Sequence, residues 1–313
     1  MKKISVLVLC FNEENSIDIL YNRITDMFAT DSRLLGYDYE LIFCDDKSRD
    51  NTRDIIEKLA KNDNKVKAVF NSTNFGFDRN LFQSFSYASG DAAFLIFGDI
   101  QDPPEELPSF IEKWEEGYKC IVGQRIRSTE NPIKYAFRKF YYRFIDILSG
   151  TQGLDMVNGY GLYDRTFIDT VLQIHEVKPF FKTVLKEYGG DVCVLPYEQD
   201  KGLRGKSNFN FWRNYDFAMH GITSGTKMLM RICTFVSVFL ALICMIWAVY
   251  IFVRKLVAWD SYPFGTASIM VGIFFLGSVQ LFFIGILGEY ILSVNEKVDN
   301  KPRTVVERTI NME

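Results

Sequence analysis

Histidine is scarce in this chain, two residues in 313. His175 follows an apolar segment and His220 precedes a long hydrophobic run, so neither is placed as a catalyst. Glycine-rich phosphate loops are missing too. Neither G-x-G-x-x-G nor G-x-x-x-x-G-K-S/T follows the first apolar run, which argues against dinucleotide and P-loop chemistry. The six cysteines (Cys10, Cys44, Cys120, Cys193, Cys233, Cys244) show no paired metal spacing. They lie mostly in apolar runs, as reduced core residues do. A formal charge of -3 provides no basic field for nucleic acid.

Charge vanishes altogether from two long stretches, Ile232 to Val253 and Pro263 to Gly288. Each exceeds the roughly 20 residues that cross a bilayer's hydrocarbon core. The short link Arg254–Tyr262 makes them an expected transmembrane hairpin over 229–292. Lys227 and Arg231 before it, and Lys297, Lys301 and Arg303 after it, favour cytoplasmic termini, although Arg254 and Lys255 lie in the link. The opening "MKKISVLVLC" resembles a signal peptide, but its apolar core is short and "FNEEN" follows at once. A first β-strand is the better reading.

What is present ahead of the hairpin is alternation. "ISVLVLC" (4–10), "YELIFCD" (39–45), "VKAVFN" (66–71), "AAFLIFG" (92–98) and "KCIVG" (119–123) read as strands. The first four are each followed by a segment of helical periodicity. That order predicts an α/β domain with a mostly parallel sheet covered on both faces, whose ligands bind beyond the carboxyl ends of the strands. Acids gather at those ends: Glu13, next to the amide Asn12, after the first strand, Asp45 and Asp46 after the second, Asp99 and Asp102 after the fourth. A negative rim of this kind suits a diphosphate only when a divalent cation lies between, and Mg²⁺ or Mn²⁺ takes oxygen ligands. Asp102 has a plainer reading as the cap of the next helix, with Pro103 at the first helical position and Glu105 completing a capping box. Asp50 is a similar cap candidate for the helix starting near Asn51. Asp99 leaves its strand too early to cap anything.

Six motifs in order, "CFNEE", "CDDKSRDNT", "NFGFDRN", "GDIQDPPE", "VGQR" and "RGKSNF", with "GEYILSVNEKVDNKPRTVVER" at the end of the second hydrophobic run, resemble the family-2 glycosyltransferases of the polyprenyl-phosphate branch. The resemblance covers nearly the whole chain. It implies a GT-A, Rossmann-like domain over 1–206, a juxtamembrane amphipathic segment over 207–228, the hairpin, and a cytoplasmic tail over 293–313 with a short strand. It implies that Asn12, Glu13, Asp45 and Asp46 hold the donor nucleotide. Asp99, with Gln101, would ligate the metal, and Arg125, Arg204 and Ser207 would lie near the phosphates. The chain departs from the family pattern at Phe97, where an acid is common, at Lys47, where glycine is common, and at Asn208, where lysine is common. "NGYGLYDR" lacks the Asp and Arg that relatives often show there.

The implied reaction is inverting transfer of a hexose, glucose first, from a UDP-sugar to undecaprenyl phosphate at the cytoplasmic membrane face, for surface glycan modification. A phosphate acceptor with a second pKa of about 6 needs no strong base. Asp99 and Asp102 are the expected catalytic acids, and Arg125, Lys201, Arg204 or Lys206 would restrain the acceptor phosphate. The basic, aromatic stretches 131–148 and 207–222 suit a membrane interface. The resemblance also makes a homo-oligomer plausible. The competing readings are a processive polysaccharide synthase, another nucleotide-sugar, a diffusible acceptor, and a non-enzymatic membrane scaffold with a degenerate transferase domain.

Overall fold

The first strand sets the layering. In β1 (Lys2–Cys10) the side chains of Ile4, Val6, Val8 and Cys10 point into one hydrophobic cluster, and Leu7 and Leu9 into another. β2 (Tyr37–Asp45) and β4 (Ala92–Phe97) alternate in the same way, with Leu41, Phe43, Phe94 and Ile96 on the first face and Ile42, Cys44, Ala93 and Leu95 on the second. A period-two strand apolar on both faces must be covered twice, which is why the runs read as continuous hydrophobic segments. The computed structural model describes residues 1–125, 157–175, 179–199, the helix 266–298 and 302–312, with isolated helical positions between 235 and 257.

Helices α1 (Ile17–Thr30), α2 (Thr52–Asn62) and α4 (Leu107–Glu115) cover the first face through Ile17, Leu20, Ile24, Ile56, Ala60, Phe110 and Trp114. Helices α3 (Phe77–Ser84), α5 (Arg165–Leu172) and α6 (Phe181–Tyr188) cover the second through Leu81, Phe82, Phe167, Ile168, Val184 and Leu185. Each fully buried Leu, Ile or Phe contributes about 1.5–3 kcal/mol relative to exposure, so the two clusters supply the main driving force for this layered fold.

With β3 (Val66–Asn71), β5 (Cys120–Arg125), β6 (Val157–Asp164), β7 (Val192–Tyr197) and β8 (Val306–Ile310), the sheet has eight strands among the described residues, in the order β7-β5-β6-β4-β1-β2-β3-β8. The five expected strands are present. The sheet is mixed, however: β6 runs antiparallel to β4 and β5, and β8 runs antiparallel to β3. β6 was invisible to the alternation because "VNGYGLYD" carries two glycines and no continuous apolar run. Gly161 is required there, since a Cβ would lie 2.2 Å from the Ile121 carbonyl oxygen. Chain order reverses between β1 and β4: β2 and β3 extend the sheet to one side, and β4 returns to the other. That reversal opens a crevice beyond the carboxyl ends of β1 and β4, the usual binding place in open α/β sheets.

Cys10, Cys44 and Cys120 are buried free thiols, and Cys193 is half-buried. Helix α7 (Thr266–Val298) is 33 residues long, and many of its described apolar side chains are exposed, Phe282 by 64 % and Ile291 by 67 %, while Val279, Phe283 and Ile286 are half-buried. Exposed Phe235, Phe239 and Ile246 mark isolated helical positions in the first hydrophobic run. Among the residues whose side chains are described, no helix is long and apolar enough to cross a membrane. The stretches 131–148 and 207–222 lie outside the described residues.

Candidate active site

Three strand ends meet at the crevice, and each carries a non-glycine residue in the left-handed region: Asn12 (φ 57°) after β1, Lys47 (φ 62°) after β2 and Ile100 (φ 51°) after β4. Such backbone is costly for an L-residue, most of all for β-branched Ile100, and it clusters where a fold must aim groups at a ligand. The left-handed turn at Lys47 also gives a physical reason for the preference for glycine at that position.

The loops after β1 and β2 are stitched together. The Asn12 amide donates to Ser48 Oγ (2.9 Å), Asn12 Oδ1 accepts from the Arg49 amide (2.8 Å), and the Glu13 amide donates to Thr52 Oγ1 (2.8 Å). Glu13 is buried, and its Oε2 accepts from Ser16 Oγ (3.3 Å). Asp50 caps in part: its Oδ1 accepts from the Thr52 amide (3.1 Å), while Oδ2 takes the Glu14 amide (3.2 Å).

The two adjacent aspartates face different partners. Asp45 is fully buried; its Oδ2 accepts from Arg53 Nε (2.6 Å) and from the Ser48 amide (3.1 Å). Asp46 accepts from Asn71 Nδ2 (3.0 Å) and from the amides of Phe75 (2.9 Å) and Gly76 (2.8 Å). Gly76 sits at φ 89°, so a side chain there would strain the turn that presents those amides. Burial pushes the Asp46 carboxyl up, against the pull of its three donors.

Asp99 follows Gly98, whose close seat against β1 admits no larger residue easily: a Cβ would meet the Leu9 carbonyl at 3.2 Å and Glu13 Cγ at 3.3 Å. The Gly98 amide donates to the Leu9 carbonyl (2.9 Å) and thereby fixes where Asp99 leaves the sheet. Asp99 Oδ1 accepts from the Gln101 backbone amide (3.3 Å), a main-chain contact that does not involve the Gln101 carboxamide. Phe97 packs against Phe77, ring centroids 5.4 Å apart, and supplies no donor oxygen from its side chain.

Asp102 does not form the expected capping box. The short 3₁₀ turn Pro104–Glu106 that precedes α4 begins after Pro103, with no side-chain cap, and Pro104 rather than Pro103 takes the first position. The Asp102 carboxylate is fully buried and turned inward instead. It accepts from Tyr197 (2.5 Å), Arg125 (3.4 Å) and Asn158 (3.4 Å). A charged-group partner and two neutral donors outcompete a local cap when the chain enters the core at this point. Burial raises the Asp102 carboxyl and the Arg125 guanidinium opposes that rise. Arg125 also donates from Nε to Tyr197 (3.1 Å), and Gln199, with its amide oxygen turned to the guanidinium, accepts from Arg125 (3.3 Å). Asn158, Tyr197, Gln199 and Arg53 were not singled out by the sequence. Tyr197 and Gln199 lie far along the chain on or just beyond β7, and only the β5–β7 pairing brings Tyr197 opposite Arg125. Lys201, Arg204, Lys206, Ser207 and Asn208 lie outside the described residues.

The residue types at this corner are oxygen donors of the kind a hard divalent cation takes. Asp99 and Gln101 offer a carboxylate and a carboxamide oxygen from neighbouring positions, and no cluster of three His, Cys, Asp or Glu side chains that could hold a metal occurs among the described residues. An ion with so few protein ligands would complete its shell from phosphate oxygens or water, as Mg²⁺ commonly does.

Comparisons with known proteins agree with this architecture. A family model described as "Glycosyl transferase family 2" matches residues 5–189, and one described as "GtrB C-terminal hairpin" matches residues 230–294. The chain is 33 % identical to the SfII prophage-derived bactoprenol glucosyl transferase of Shigella flexneri, over 98 % of each chain. It is 31 % identical to the prophage bactoprenol glucosyl transferase homolog of Escherichia coli K12, over 98 % of this chain and 99 % of that one. Glucosyl-3-phosphoglycerate synthase of Mycobacterium tuberculosis, solved with Mn²⁺, UDP and glucosyl-3-phosphoglycerate, matches in structure with a TM-score of 0.52 at 17 % identity. That match covers 71 % of this chain and 78 % of that one, a likeness of fold.

Proposed function

The chain belongs to glycosyl transferase family 2, and from that premise we propose that it transfers glucose from UDP-glucose to a polyprenyl phosphate, with inversion, at the cytoplasmic face of a membrane. The observation that carries the reading is the corner where Asp99 and Gln101, at the end of β4, stand close along the chain to buried Asp102 and its half-buried partner Arg125. Acceptor chemistry is supported by the relatives, which are named as acting on bactoprenol.

In this reading Asn12, Glu13, Asp45 and Asp46 form the donor-nucleotide end of the crevice. Asp99 and Gln101 hold Mg²⁺ or Mn²⁺, which, when bound, offsets the charge growing on the diphosphate leaving group. Arg125 is oriented by Asp102, Tyr197 and Gln199, so its remaining donors are aimed and not free to search. A guanidinium held in this way restrains an incoming phosphate at low entropic cost. The lipid phosphate is largely ionised at neutral pH and attacks the anomeric carbon directly; the nucleoside diphosphate leaves from the opposite side, which inverts that centre. Lys201, Arg204 and Ser207 belong to the acceptor or diphosphate side. The uncharged segments within 229–292 form a membrane hairpin, a reading supported by the exposed apolar side chains of α7 and by the hairpin family match.

The test is a transfer assay with the full chain, undecaprenyl phosphate, Mn²⁺ or Mg²⁺ and a panel of labelled UDP-sugars. Lipid-linked glucose that is lost at least about 100-fold in Asp99→Ala is the expected result. Transfer that proceeds equally in Asp99→Ala, or that needs no lipid phosphate, would overturn the reading.

A further inference from the structure

The strand that follows the hydrophobic hairpin in the chain ends up beside the donor end of the crevice. β8 is the edge strand and pairs antiparallel with β3, Arg308 opposite Phe70 and Val306 opposite Asn71. The Ser72 amide adds a bond to the Val305 carbonyl (2.9 Å), and Asn311 Nδ2 donates to the carbonyls of Ala60 (2.7 Å) and Val66 (2.8 Å). A sheet-edge strand secured at both ends holds its side chains in fixed register.

One of those side chains is Glu307. Its Oε2 accepts from Lys47 Nζ (2.7 Å) and from Arg53 Nη1 (2.9 Å). Lys47 is the left-handed residue directly after Asp45 and Asp46. Arg53 is the residue whose Nε reaches Asp45 (2.6 Å), while its Nη2 donates to the Asn71 carbonyl (2.7 Å). Asn71 in turn holds Asp46. Glu307 therefore closes a chain of contacts that includes both aspartates, from a position some 260 residues further along the sequence.

We propose that Glu307 is a positioning residue of the donor site, through which the C-terminal strand fixes Lys47 and Arg53 and hence the two carboxylates that meet the nucleotide. This rests on the reading of Asp45 and Asp46 as donor residues. Arg53 divides its donors among Asp45, Asn71 and Glu307. With the Glu307 carboxylate removed, the guanidinium keeps only the inner two partners and Lys47 loses its tether, so the strained turn after β2 is released. The ligand affected is a nucleoside diphosphate; the acceptor side, built on Asp102 and Arg125, is separate from these contacts.

The experiment measures binding of UDP with Mn²⁺ to the full chain by calorimetry, together with the KM for UDP-glucose and kcat. Glu307→Gln and Glu307→Ala are expected to weaken UDP binding and raise the donor KM roughly three- to tenfold with kcat nearly unchanged, and Glu307→Asp to recover part of the loss. Glu57→Gln weakens the pairing of Glu57 with Arg308 on the same strand without touching Lys47 or Arg53, and is expected to leave UDP binding alone. If Glu307→Gln and wild type bind UDP alike, or if Glu57→Gln weakens binding equally, Glu307 has no positioning role of its own. If wild type binds no UDP at all, the donor-site reading itself fails.

Discussion

The two ends of the same sheet each bury a carboxylate, and they treat it in opposite ways. Near the amino ends of the strands, Glu40 on β2 is buried but meets Ser5 Oγ (2.6 Å), Lys3 Nζ (2.9 Å), Lys67 Nζ (2.9 Å) and the Ser89 amide (2.8 Å). Burial alone would raise this carboxyl; the four donors outweigh it and bring it down to about 2. At the carboxyl ends, Asp46 and Asp102 have hydrogen bonds as well, yet burial dominates and both are raised. One end is electrostatically satisfied and closed, the other keeps a cost in reserve. Raised carboxyls at a crevice are the pattern that marks a candidate binding site.

Removing the buried acid should therefore separate the two ends. Asp102→Asn is expected to lower turnover about 100-fold, roughly 3 kcal/mol, by leaving Arg125 misaimed, while thermal stability stays level or rises because a poorly compensated charge is gone. A clear fall in melting temperature with activity retained would reverse the roles assigned here. At the other end, Glu40→Ala is expected to cost about 2–3 kcal/mol in urea unfolding, since two lysines and two serines lose their shared acceptor, with the donor KM unchanged. An equally stable variant would show that the cluster is only a solvated surface pair.

The pH dependence carries the same contrast with opposite sign. The folded Glu40 carboxyl lies below its ordinary 4.5, so it contributes stability above that value and loses it as pH falls toward about 2. Asp46 and Asp102 lie above their ordinary value when folded, so the native state takes up protons more readily than the unfolded one and gains from them as pH falls through the raised values. Unfolding midpoints of wild type and Glu40→Gln, compared from about pH 7 to about pH 3, should converge on acidification. Curves that stay parallel would remove Glu40 from the acid response. The smallest effect is expected at Lys47→Gly: relief of the left-handed backbone, about 1 kcal/mol, is offset by loss of the half-exposed pair with Glu307, leaving a net change within about 1 kcal/mol.

Much of the parallel half of this fold was legible before any coordinates. Short, largely apolar runs at 4–10, 39–45, 66–71 and 92–98, each followed by a helical pattern, read as strands covered on two faces, and the acids that end them mark one rim. Asp99 stood out because nothing local accounts for it. Asp102 was misread for the converse reason: Asp-Pro-Pro-Glu satisfies a local capping pattern so well that its inward turn to Tyr197, Arg125 and Asn158 could not be anticipated. β6 was missed because two glycines break its apolar run, and one of them is there to let β5 approach.

The sequence by itself determined the layered α/β core, the rim that carries the acids and the two long uncharged runs, because hydrophobic periodicity and charge placement are local and act over a few residues at a time. Only the tertiary structure decided which partners each acid receives. Tyr197 reaches Asp102 through the β5–β7 pairing, and Glu307 reaches Lys47 and Arg53 through the β3–β8 edge. Such contacts depend on strand order and register, which are global properties of the sheet, and no spacing along the chain encodes them.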